Sequence, residues 1–556
     1  MKSHLDRICC SPANRKSERS LLLADGSVTS GLVGVSDCRA PRAGEMLGCY
    51  GTQHLVGTEL KMERLMKTLT CGPRMGRLAA FVASWTCLSL TGCFSETVSS
   101  ANEEAIKSKA TRSDQQNAGG ISPPSHVPDV IIVGAGISGL SAALELGRGG
   151  VNVTVIDMSS VFGGHAVMSQ GSLCIVGTPV QERAGIKDSP DLAFQDFHRW
   201  GEDPATDWVR YYVDNSRREI YDWVEELGVR FSDVGMSSGN SVAREHQPVG
   251  RGIGLVTPIY RACLELGTID FVWNSKVEQL LREDQRVVGV LVRDMRTGAE
   301  RRLRSKAVIL ATGGFLNNLE MVREFWPAEF RFPKRILAGS GRNSIGLGHK
   351  MARAVGGELV HMDYQWNYFT GLPDPRYPGS NNGLNATNLH GILVNAEGRQ
   401  FVNFHGWAKE VMPALLKQPD VTCWCIFDEA TKPFVIISGS DWGDFKKVDK
   451  LILQNPDLVK KADTLEKLAE LSKLPAKNLV ETVARYNMLV DQGEDKDFGR
   501  FGPGKPEFSN KTSPKIATPP FYAMQTYPLT RKSMGGVAID LKCRVLDKQK
   551  RAIPGL

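Results

Sequence analysis

Asp129-Val130-Ile131-Ile132-Val133-Gly134-Ala135-Gly136-Ile137-Ser138-Gly139-Leu140-Ser141-Ala142-Ala143 carries a short apolar run into a glycine-punctuated turn and then into a helix-forming stretch. The run reads as a strand, and each glycine after it has separate work. Gly134 permits the tight turn, Gly136 lets backbone N–H groups approach a pyrophosphate, and Gly139 allows the helix to pack on the strand. Ile137 and Ser138 begin that helix, whose N-terminal end offers its positive pole to phosphate. Downstream, Val151-Asn152-Val153-Thr154-Val155-Ile156-Asp157 reads as a second strand closing on an acid. That acid stands about twenty residues past the turn, where a carboxylate can accept ribose hydroxyls. Strand, turn, helix, strand and acid in this order point to a dinucleotide without deciding between FAD and NAD.

Two later stretches bear on that choice. Val161-Phe162-Gly163-Gly164-His165-Ala166 follows the acid, and Ala307-Val308-Ile309-Leu310-Ala311-Thr312-Gly313-Gly314-Phe315 is a second strand running into a glycine turn. They resemble the GG and ATGG elements of two-dinucleotide-fold flavoproteins, in which the chain returns to the FAD sheet after an excursion. The cofactor implied is FAD. Between them, Phe271 to Val277 resembles the strand that lays backbone groups along adenine, and Val287 to Val292 the next strand of a small sheet. Either run could also be any buried strand. The expected fold class is α/β: a Rossmann-like FAD-binding domain with a central parallel sheet and an inserted α+β capping domain.

A narrower resemblance comes from Tyr522 to Asp540, which contains Arg531-Lys532-Ser533-Met534-Gly535-Gly536-Val537, from Gly391 to Asn403, and from Gly346 to Ala352. Together they resemble the fumarate reductase/succinate dehydrogenase flavoprotein family, which includes soluble fumarate reductases and 3-ketosteroid dehydrogenases, over about residues 127–556. The resemblance implies a first part of the FAD-binding domain at 128–335, a capping domain at 336–504 that closes over the flavin, and a return to the FAD-binding domain at 505–556. It implies hydride transfer at flavin N5 to or from a C–C bond next to a carbonyl or carboxylate. A non-catalytic exported FAD-fold protein is the alternative. Beyond the position of Leu556, family members continue with a Gly-Glu strand and a glycine-rich helix that contact the flavin, so the resemblance implies a truncated flavin site.

Departures from the family pattern shape the candidate catalytic set. After Phe401-Val402-Asn403 the family supplies a proton-donating arginine, but here Ala408 stands near that place in Phe404-His405-Gly406-Trp407-Ala408-Lys409. Upstream, Asn385-Ala386-Thr387-Asn388 lacks the acid of a carboxylate-binding Thr-Glu pair. Lys532 replaces the histidine before Met-Gly-Gly and stands next to Arg531, so two cations could hold a carboxylate or an enolate-like charge; solvated loop charges are the other reading. A replacement acid is sought among Tyr364, Tyr368 and His405. In Asp463 to Ser472, Leu465, Leu468 and Leu471 follow one helical face and read as core packing.

The chain has 556 residues, 42% hydrophobic and 23% charged, with a formal charge of +7. Twelve Lys+Arg against seven Asp+Glu lie before Cys93, so the remainder is close to neutral. No basic block with interleaved aromatics points to nucleic acid. Seven of twelve cysteines also fall in the first 93 residues, and Cys423-Trp424-Cys425 reads as buried thiols in a strand rather than a metal site. Residues 66–93 combine Lys67, Arg74 and Arg77 with an apolar run and Leu90-Thr91-Gly92-Cys93, which resembles a lipoprotein leader cleaved and lipidated at Cys93. Residues 1–65 then read as an over-extended start and 94–127 as a flexible tether. The expected protein is exported and lipid-anchored outside the cytoplasm. With no CxxCH haem motif, its electrons come from a separate partner.

Overall fold

The computed structural model describes residues 127–556 apart from Glu202 and Trp407, and these lie within one compact unit. The leader, its Cys93 and nearly all of the tether fall outside the described residues. Among the described residues no helix is long and apolar enough to cross a membrane.

The opening stretch forms β1 (Val130–Val133) and α1 (Ile137–Arg148), and β2 (Val153–Ile156) follows. After α2 (Pro190–Trp200) and α3 (Arg251–Leu264) the chain returns as β3 (Ile269–Val272). It then makes an antiparallel meander of β4 (Ser275–Glu283), β5 (Arg286–Asp294) and β6 (Glu300–Arg304), and re-enters the first sheet as β7 (Ala307–Leu310). The parallel order is β7-β1-β2-β3. Alternation along β1 explains the layering: Ile132 packs with α1 and α3 on one face, while Ile131 and Val133 pack with Val290, Val292 and Leu303 of the meander on the other. Covered on both faces, β1 and β7 are apolar without a break, while Thr154 in β2 and Asp270 in β3 interrupt the other two strands.

One expected strand is two. Phe271 to Val277 breaks at Asn274, which takes φ +52°, a conformation asparagine tolerates better than most residues. The break sends β3 into the parallel sheet and β4 into the meander.

The second layer system runs through β8 (Gln365–Pro373), β9 (Gly383–Thr387), β10 (Ile392–Val394), α4 (Ala408–Leu416), β11 (Cys423–Asp428), β12 (Val459–Ala462), α5 (Leu465–Ser472), α6 (Ala476–Gln492) and β13 (Phe521–Ser533). Its sheet has the order β10-β11-β13-β8-β9, and β12 also pairs with β13. Cys423, Cys425 and Phe427 face α4, whereas Trp424 and Ile426 face α5 and α6. Both thiols are buried, and burial pushes each up to about 12, in keeping with the buried-thiol reading.

Three expectations are corrected here. The cap extends past 504, because β13 is its central strand and the crossing back falls after Ser533. On its other side it is interrupted: Met351 and Val355 pack with Ile131 and Val133 in the FAD-side core, so residues near 350 are not cap. In α5, Leu471 is 41% exposed, and the buried face consists of Leu468, Ala469 and Ser472.

Candidate FAD and substrate site

Gly134 and Gly313 follow adjacent parallel strands, so their turns open at the same edge of one sheet. Gly134 has φ +110°, and a Cβ there would lie 2.3 Å from the Ala311 carbonyl oxygen; both facts require glycine. Gly139 is as constrained, with its hypothetical Cβ 1.9 Å from the Gly134 carbonyl oxygen. Gly136 differs. Its φ is −74° and nothing lies within 4 Å of where a Cβ would point. The space in front of it is open, and α1 begins there with no side-chain cap and no acid in its first turn. First-turn N–H groups of Ile137, Ser138 and Gly139 border an uncovered positive pole, which is what a pyrophosphate needs.

The GG turn is stitched to this cradle. Gly163 donates its N–H to the Ala135 carbonyl at 2.7 Å, Gly136 and Gly163 form a parallel bridge, and a Cβ on Gly164 would sit 3.3 Å from the Gly136 Cα. Asp157 accepts from Ala135 N and Ser159 N, each at 2.7 Å. Two carboxylate oxygens offer about four acceptor sites, so Asp157 fixes the loop and keeps capacity for a ribose hydroxyl. Val277 is buried, its Cα opposite Val292, with a register shift between it and Gln279. The residues present fit FAD.

A third wall comes from Ala338 to Gly346, which the sequence reading passed over except at Gly346. Its density of Gly and Ser was the available signal. Asn343 donates to Ser159 Oγ at 2.9 Å, and a Cβ on Gly341 would meet the His165 Cβ at 2.9 Å. The Cβ direction of Gly313 faces Ser344 Oγ at 3.6 Å. The cap joins at the same point: Phe315 N donates to Ser533 Oγ at 3.0 Å, directly after Gly314. This fixes Arg531 and Lys532, the residues before Ser533 on β13, beside the second glycine turn.

Charge in this corner is uneven. Arg531 Nη1 donates to the Gly339 carbonyl at 2.7 Å, and its guanidinium lies 5.8 Å from the Tyr368 ring centre. Lys532 is exposed. His165 is lowered to about 4, first by burial and then by the Arg531 and Lys532 cations. It is therefore neutral at neutral pH, leaving the positive charge to the other two. Ala166 opens the short 3-10 turn behind it.

The remaining candidates separate. Tyr364 is half-buried, accepts Met534 N through its carbonyl at 3.0 Å and has its ring 4.9 Å from that of His361 at a tilt of 43°, which keeps it near the β13 end. His405 is elsewhere in the cap: its Nε2 lies 3.0 Å from the Leu389 carbonyl and 3.2 Å from Thr512 Oγ1, with Phe508 against its ring. Burial, then the Arg500 cation, lowers it to about 4. Among the described residues these partners all belong to the cap, and the cluster around Arg531 is not among them. Ala408, near the expected arginine position, is buried in the cap core.

Known proteins agree with this geometry. The family model described as FAD binding domain matches residues 129–556. The cytochrome-type fumarate reductase of Shewanella frigidimarina is 33% identical over 463 residues, covering 82% of this chain and 75% of that protein. A KsdD-like steroid dehydrogenase of Mycobacterium tuberculosis is 28% identical over 521 residues, covering 77% and 88%. Among solved structures, the open conformation of a flavocytochrome c3 fumarate reductase matches with TM-score 0.63 and 27% identity, over 81% of this chain and 74% of that one. With its glycine turns on one parallel sheet and its cap strand seated on them, the chain belongs to the FAD binding domain family of fumarate reductase-like flavoproteins.

Proposed function

We propose that this chain is an oxidoreductase of CH–CH bonds that works on a substrate bearing a carbonyl or carboxylate. Bound FAD supplies the hydride chemistry at its N5 position. The chain's own residues do the rest. Arg531, anchored on the Gly339 carbonyl and aimed from the end of β13, holds the substrate oxygen and stabilises charge that develops there; Lys532 adds a mobile second cation at the mouth. Neutral His165 completes the polar wall, and the cap excludes water. The observation that carries the reading is the Ser533 to Phe315 hydrogen bond, because it locks two cations of the cap strand onto the second glycine turn.

With Ala408 packed into the core, the proton at the neighbouring carbon comes from another group, and Tyr368 is the best placed since the Arg531 guanidinium lies beside its ring. Assaying fumarate and 3-ketosteroids with an artificial electron carrier tests this. Turnover of one class, lost in Arg531→Ala and in Tyr368→Phe, supports it. Retained FAD with no turnover of either class would favour the non-catalytic alternative. The leader reading adds an address: cleavage before Cys93 and lipidation would tether the enzyme at the outer side of the membrane, fed by a separate electron carrier. Metabolic labelling with a radioactive fatty acid, abolished in Cys93→Ser, checks it.

A further inference from the structure

Cap and FAD-binding domain also meet away from the glycine turns. Lys409, in the first turn of α4, donates from Nζ to the Trp200 carbonyl at 2.6 Å and lies 4.9 Å from the Trp200 ring centre. Trp200 is the last residue of α2. Its carbonyl is one of the four at a helix C-terminus that have no partner within the helix, and it lies at the negative pole. An ammonium that satisfies this carbonyl while facing an indole gains twice from one position.

Both sides of the contact are rigid. On α4, Ala408, Val411, Met412 and Leu415 belong to the cap core. On α2, Asp196 is buried and receives Arg244 Nη1 at 2.6 Å and Ser241 Oγ at 2.6 Å. The indole is pressed against Gly239, where a Cβ would come within 2.4 Å of its Cγ. The backbones that carry the two partners are therefore held in their own bodies, and movement of one body against the other separates the ammonium from the Trp200 carbonyl. Nearby, His361 Nε2 lies 3.9 Å from Asp203 Oδ2, a looser and exposed approach to the same stretch.

We infer that Lys409 is a positioning residue for the reaction: on the Trp200 carbonyl and indole it clamps α4 of the cap to α2 and holds the cleft closed. The inference rests on the reading that the cap encloses the reacting centre. It gives α4 a role that Ala408, one residue earlier, does not have.

Amide hydrogen exchange on the full chain tests it without any substrate. In Lys409→Met, exchange at Val411 and Met412 of α4 and at Gly201, whose N–H is bonded to the Phe197 carbonyl at the end of α2, should quicken about tenfold, while α6 keeps its protection. Lys409→Arg should restore the slow rate, and adding Trp200→Leu to Lys409→Met should make exchange no faster than Lys409→Met alone, while Trp200→Leu by itself, which keeps the backbone carbonyl, should show a smaller acceleration. With an accepted substrate, KM should rise by a similar factor with FAD content unchanged. Unaltered exchange in Lys409→Met would overturn the inference. So would acceleration spread equally into α6, or additive effects in the double variant. If no substrate is ever turned over, the exchange result still stands, so the two readings fail separately.

Discussion

Arg531 and His165 illustrate how a residue's role follows from its neighbours. Arg531 is held by one backbone bond; in the role proposed for it, Arg531→Ala should lower turnover about 100- to 1000-fold, the usual loss on removing a preorganised charge, with FAD content unchanged. His165 gives a pH signature. Its folded-state value is about 4 against an ordinary 6.5, and His405 behaves alike. Between those limits the unfolded chain takes up protons that the folded chain refuses, so stability falls as pH drops from about 6.5 to about 4. Denaturant midpoints across that window should decline, and His165→Asn should flatten part of the slope. Gly134→Ala, which combines positive φ with a 2.3 Å clash, should cost about 2 to 4 kcal/mol, read as a lower unfolding midpoint.

At the scale of elements, what was legible depended on whether local signals agreed with tertiary demands. β1, the turn and α1 announced themselves because strand, glycine spacing and helix are dictated by contacts within one segment. The break at Asn274 was not announced, since Phe271-Val272-Trp273 before it and Val277 after it keep a strand-like pattern and only the divergence of two sheets requires the kink. β13 was assigned to a returning segment because its pairing with β8, β11 and β12 is made with residues far along the chain. Leu471 followed a helical stripe in sequence yet lies on the open side of α5, a matter of where neighbours stand. A further element-scale prediction concerns α2. Asp196 and Asp188 share buried Arg244, and although burial alone would raise Asp196, bonds from Ser241 and Arg244 hold it well below the usual carboxylate range. Asp196→Ala leaves the Arg244 cation short of a partner and should cost about 3 to 5 kcal/mol, measured by equilibrium unfolding.

For the whole molecule, two sandwiched sheets meet at a seam made of Ser533, Phe315 and the loop from Ala338 to Gly346. The sequence displayed the FAD half of that seam through its glycines. The cap half was visible only as Met-Gly-Gly and its flanking cations, and the seam itself not at all, because it joins residues more than two hundred positions apart. The central claim is that Gly136 leaves open the place of a pyrophosphate on this sheet. It is tested most directly by comparing released FAD per chain, and the unfolding midpoint of the flavin-free form, between the natural protein and Gly136→Val. A Cβ there meets no protein atom within 4 Å, and the negative φ imposes no backbone strain. The variant should therefore fold with an unchanged midpoint and retain no FAD, while the natural chain retains FAD. A Gly136→Val protein that keeps its flavin as well as the natural chain does would contradict the account.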